Sequence, residues 1–124
     1  MRDAIVKAAV IIISLLAILS VSGCGASRAI LYNDLGMEAA RFGMWHEATI
    51  RFEQAVALRP NDGALHNNLA VAYEAQGNRK DAEAEYTKAV QMSPGLRAAH
   101  NNFQSFANNM VEPPQQGKVQ DEQD

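Results

Sequence analysis

From residue 29 to residue 110 apolar positions recur at helical spacing, in blocks separated by glycine, proline and polar residues. Leu31, Leu35 and Ala39 share one face of a helix expected over about 29–42. Gly43 breaks the pattern. A second helix, over about 45–58, then carries Ala48, Phe52 and Ala55 as its apolar stripe, and Pro60 ends it. The alternation returns with Leu69, Ala70 and Tyr73 on a helix over about 65–76 and a turn at Gly77-Asn78. Ala82, Tyr86 and Ala89 follow on a helix over about 79–92. A fifth helix, over about 96–110, carries Phe103, Phe106 and Met110 before Pro113-Pro114 breaks it. Residues 111–124 have no apolar period and read as a disordered polar tail.

These blocks superpose at a spacing of 34 residues. Gly36, Gly43, Ala48, Phe52, Ala55 and Pro60 fall on Ala70, Gly77, Ala82, Tyr86, Ala89 and Pro94, and Leu35 falls on Leu69. The small, aromatic and proline positions in this order resemble the tetratricopeptide repeat family. Tyr73 matches the family tyrosine of helix A, whereas Ala39 departs from it in the first repeat, a loss of volume that Trp45 is placed to offset. The resemblance implies an all-α fold, a short solenoid of two helix-turn-helix repeats over 29–62 and 63–96 plus a capping helix over 97–110. The stretch 63–69 is echoed at 97–103, so Phe103 is expected to face inward like Leu69. Phe106 falls where the earlier helices have Glu38 and Ala72, which leaves two roles open: cap packing, or a partner or self-association surface with Met110. Solenoids of this kind usually need about three repeats, so a homo-oligomer or docking on a larger assembly is a further expectation.

The front of the chain is of a different kind. Arg2 and Lys7 precede an almost wholly apolar run over 8–21, then small residues and the sole cysteine in Val21-Ser22-Gly23-Cys24. A basic start, a short apolar stretch and small residues before a cut describe a signal peptide over 1–23. The run is marginal as a permanent span of a hydrocarbon layer roughly 30 Å thick. The cysteine and its neighbours look like the lipobox of bacterial lipoproteins. That resemblance implies that Cys24 becomes the N-terminus and carries covalent lipid, with 24–28 as a short tether. It implies a bacterial cell envelope, lipid-anchored, and the inner leaflet of the outer membrane where the source has two membranes, because Gly25 is not the aspartate of inner-membrane retention. A lone cysteine excludes an internal disulfide. Without Arg2, Lys7 and Asp3, the chain's 11 basic and 14 acidic residues become 9 and 13, a net charge of −4. Mild acidity without a basic block argues against a nucleic-acid partner.

The family's concave face, lined by helix A residues, is where a protein or peptide is expected. Carrying the positions over at the repeat spacing assigns Asn33, Met37 and Arg41 from the first repeat. The second contributes Ala64, Asn67, Val71 and Glu74, and the closing helix Asn101, Ser105 and Asn108. Asn33, Asn67 and Asn101 form one row, whose amides either hold a partner's backbone or simply solvate the groove. The family's carboxylate-clamping pattern is matched at Asn68 alone; Asn33, Met37 and Asn102 stand where it has other residues.

No catalytic set emerges. His66 and His100 lie one repeat apart and read as interhelical packing rather than metal ligands, and Glu83, Glu85 and Lys88 as a polar helix face. No cofactor beyond the lipid and no enzymatic activity is expected. The expectation is a membrane-anchored adaptor that assists an envelope complex such as a pilus or secretion system. An envelope-maintenance scaffold recruiting peptidoglycan enzymes and a self-associating spacer are the alternatives.

Overall fold

The computed structural model describes residues 1, 5, 7 and 25–110. Cys24, most of the N-terminal segment and the tail after Met110 lie outside them. The first helix, α1, runs over 25–41. It is followed by α2 (Trp45–Leu58), α3 (Gly63–Ala75), α4 (Arg79–Met92) and α5 (Arg97–Met110). Among the described residues there is no strand. Residues 25–28, expected as a short tether, are helical and continuous with α1, and Ala29 is buried.

The two interior turns repeat one device. Gly43 and Gly77 have φ of 71° and 75°, in the left-handed region where a side chain is costly. At the first, Met44 N–H donates to the Ala39 carbonyl at 3.0 Å and Gly43 N–H to the Ala40 carbonyl at 2.9 Å. Asn78 and Gly77 do the same to Tyr73 and Glu74. This pairing satisfies carbonyls that the helix end leaves open and turns the chain back on itself. Asp62 starts α3, its carboxylate accepting from Ala64 N–H at 3.1 Å.

Each helix B buries an aromatic ring against its neighbours. Phe52 packs with Ala39, Ala48, Leu69 and Ala72, while Tyr86 packs with Ala70, Ala82 and Phe106. Trp45 lies half-buried against the first cluster, which includes Ala39. The approach of α1 to Phe52 is close enough to require glycine. A Cβ on Gly36 would stand 2.6 Å from the ring. In the second repeat Ala70 holds that place.

Two expectations about the apolar faces fail for the same physical reason. Leu31 and Leu35 are exposed, and α1 buries Ala29, Gly36 and Ala39 instead. Their counterparts Leu65 and Leu69 are covered because a repeat precedes them; no described repeat precedes α1. Phe106 is buried at 2 % exposure, so it does not form a self-association surface. Its counterpart Ala72 is also buried, and the exposed Glu38 was a misleading guide because it lies at the uncovered end. Phe106 tilts against Tyr86 at 5.3 Å between centroids, and Phe103 stacks on the same ring at 6.1 Å. Met110 remains exposed.

Candidate functional site

A concave hollow of about 680 Å³ opens where the first repeat meets the second. Met37 and Ala40 of α1, Trp45 and Phe52 of α2 and Val71 of α3 make its apolar surface. Asp34, Glu38 and Arg41 flank it on α1, with Asn67, Asn68 and Asn102 on the other side. Met37 is 44 % exposed, so the apolar surface is open to a partner rather than filled by the chain's own side chains. Arg41 and Glu38 pair at 3.3 Å, and both are well exposed. An ion pair so exposed contributes little to stability, which leaves both groups available for rearrangement.

Of the residues assigned from sequence, Met37, Arg41, Asn67 and Val71 line this hollow. The others do not gather there. Glu74 lines a smaller hollow with Gly77, Arg79, Phe106 and Asn109, where it accepts from the Tyr86 hydroxyl at 2.7 Å. Asn101, Ser105 and Asn108 are exposed on α5, and Ala64 is exposed on α3. Trp45 was missed as a groove residue because the repeat spacing maps it onto Arg79, a charged residue that lines only the smaller hollow.

The asparagines make a staggered ladder instead of a single row. Asn68 donates to Asn33 Oδ1 at 2.9 Å, Asn102 to Asn67 Oδ1 at 3.0 Å, and Asn67 to Asn68 Oδ1 at 3.5 Å. Each bond but the last joins neighbouring helices A, so the amides fix the spacing of the wall that bounds the groove. Asn67 and Asn68 use both amide atoms in this way, which consumes much of the capacity to hold a peptide backbone. The doublets Asn67-Asn68 and Asn101-Asn102 were the available sequence signal.

Behind the groove, polar side chains lock α3 to both helices B. Tyr73 donates to Glu53 Oε1 at 2.6 Å, and Tyr86 to Glu74 Oε2 at 2.7 Å. Burial, then the neighbouring carboxylate, pushes the ionisation of both phenols upward from the ordinary value of about 10. Raised folded pKa values mean that the associated stability is intact below about pH 10 and is lost as the pH climbs toward the folded values. Urea midpoints are therefore expected to fall between pH 8 and pH 11. The fall should be smaller in a Tyr73→Phe/Tyr86→Phe double variant, and an equal fall would sever the effect from these phenols.

Glu85 is no ordinary member of a polar face. It is buried and accepts from His66 Nδ1 at 2.5 Å and from Lys88 Nζ at 2.6 Å. His66 Nε2 donates to the Pro60 carbonyl at 2.8 Å, whereas His100 reaches only the Pro94 carbonyl, at 2.9 Å. The two histidines thus serve separate contacts. Among the described residues no group of three His, Cys, Asp or Glu side chains is arranged to hold a metal ion.

Residues 63–96 match the family model described as Tetratricopeptide repeat. The domain described as the Arabidopsis OM64 TPR domain superposes with a TM-score of 0.67 at 18 % identity, covering 70 % of this chain and 72 % of that one. The fold is a tetratricopeptide-repeat solenoid. A second solved structure, described as the first TPR of Spaghetti (RPAP3) bound to the HSP90 peptide SRMEEVD, matches with a TM-score of 0.38 and 14 % identity. It covers 68 % of this chain and 94 % of that one. No curated protein matches the chain. Seen as a tetratricopeptide-repeat solenoid, the hollow lies on the helix A side, between α1 and α3.

Proposed function

We propose that this chain is a lipid-anchored tetratricopeptide-repeat adaptor that holds a segment of another envelope protein in its concave groove. The observation that carries the proposal is the open apolar surface of Met37, Trp45 and Val71 at the junction of the repeats. Burying apolar area is the main favourable term in protein association, and a concave apolar surface with a few polar groups at its edge is the usual form of a binding site. Among the described residues the only basic side chain lining the hollow is Arg41, which is paired with Glu38. Recognition therefore rests on apolar anchors and on shape set by the asparagine ladder, not on clamping a terminal carboxylate. The chain acts by binding, with no catalytic step.

The anchor is the lipid expected on Cys24 of Val21-Ser22-Gly23-Cys24. Several acyl chains hold far better than one, since each buried methylene adds about 0.8 kcal/mol. The client expected is a component of an envelope machine of the pilus or secretion kind. Crosslinking the protein in its own membranes, with Cys24→Ala as the mislocalised control, tests this. Capture of such a component, lost in the control, is the expected result. Capture of cell-wall enzymes would replace the client class, and recovery of nothing but copies of the chain itself would refute the adaptor.

A further inference from the structure

We propose that the uncovered end of the solenoid, the side of α1 that carries Leu31 and Leu35 together with Phe42 just beyond it, rests on the lipid surface that holds Cys24. The inference rests on the lipid-anchor reading and adds an orientation and a second membrane contact to it.

The molecule contains its own control for this surface. Leu65 and Leu69, at the same repeat positions as Leu31 and Leu35, are 6 % and 4 % exposed because the preceding repeat covers them. Leu31 and Leu35 are 54 % and 43 % exposed, and Phe42 is 71 % exposed. At 3.6 residues per turn these three positions fall within one narrow stripe. The other end of the solenoid is treated differently. There α5 turns Phe106 and Ala99 inward and leaves Gln104, Ser105 and Asn108 outside. One end is sealed with polar groups while the other keeps the leucines of an interior repeat. Stacking copies head to tail would press that apolar stripe against amides and hydroxyls.

The place of the anchor selects the occupant. Gly25, the residue after Cys24, is already helical and continuous with the rest of α1. At about 1.5 Å per residue, Leu31, Leu35 and Phe42 follow Cys24 at roughly 10, 16 and 27 Å along the helix. Lying along the membrane, α1 would seat all three side chains at the depth of about 5–10 Å that interfacial helices reach. The stripe exposes only a few hundred Å², short of the roughly 1,200–2,000 Å² of a stable protein interface. A tethered contact needs less, because the anchor makes it intramolecular. Met37 and Arg41 lie roughly 140° and 100° away from the stripe around α1, so the groove would open to the side and away from the lipid surface, within reach of membrane-proximal segments of a client. Glu38 borders the stripe and is held by Arg41.

The test places benzoylphenylalanine at Leu35 or Phe42 in the full chain, in a bacterium that processes lipoproteins, with Gln104 on the sealed end as control. After irradiation, phospholipid adducts are expected several-fold more often at 35 and 42 than at 104. Adducts with a second copy or another protein at 35 and 42, or lipid adducts no more frequent than at 104, would overturn the proposal. The mass of the Cys24 peptide in the same sample separates the two readings. Acylated Cys24 without lipid adducts removes this contact and keeps the anchor; unmodified Cys24 removes both.

Discussion

Phe106→Ala is expected to destabilise the domain by about 3–5 kcal/mol, the range for emptying a buried aromatic site. For a domain of this size each kcal/mol moves the melting temperature by about 4–8 °C, so the melt should fall by at least ~12 °C. The ring is enclosed by Tyr86, Ala70 and Ala82, and two of these partners are alanines that cannot swing into the space it leaves. The damage should concentrate on α4 and α5, so hydrogen exchange in those helices should rise before that in α1 and α2. The oligomeric mass is expected not to change. If Phe106 served instead as an association surface, the mass would change and the melt would hardly move.

Glu85→Ala is the second large effect, expected at about 2–3 kcal/mol because it leaves a buried donor without its acceptor. His66 Nε2 must carry a hydrogen to reach the Pro60 carbonyl, and Nδ1 then faces the carboxylate that Lys88 also holds. These bonds tie the loop before α3 to the middle of α4. Glu85→Gln keeps the shape, and its side-chain carbonyl can accept from His66 Nδ1 in place of the carboxylate, so most of the stability should return. Urea denaturation of the two variants checks this. A loss below about 0.5 kcal/mol for the alanine variant would mark Glu85 as an ordinary surface residue.

The helices with the clearest local punctuation were the most legible. The expected and observed bounds of α2 and α4 coincide because Gly43, Gly77, Pro60 and Pro94 act on neighbouring backbone alone. Burial was less legible wherever it depends on what lies next door. The same leucine is core at 69 and surface at 35, since only the later one has a repeat in front of it. Phe106 was read against Glu38 as well as Ala72, and the two differ for that reason. The approach of Glu85 to His66 joins residues 19 apart on different helices and has no signature in either segment. In the groove the repeat spacing located Met37, Asn67 and Val71, yet it was blind to Trp45, which has no aromatic counterpart in the second repeat.

The most direct test of the groove is to repeat the membrane capture with Met37→Asp/Val71→Asp. Both side chains face the hollow; Met37 is exposed, whereas Val71 is half-buried against the second core cluster, so the variant should keep its helix content with some fall in the melt. Placing two carboxylates on the apolar surface should weaken the client by more than tenfold, a loss of at least about 1.4 kcal/mol. Disappearance of the captured client with the fold intact is the expected result. Undiminished capture by a folded variant would mean that the partner is held elsewhere on the molecule.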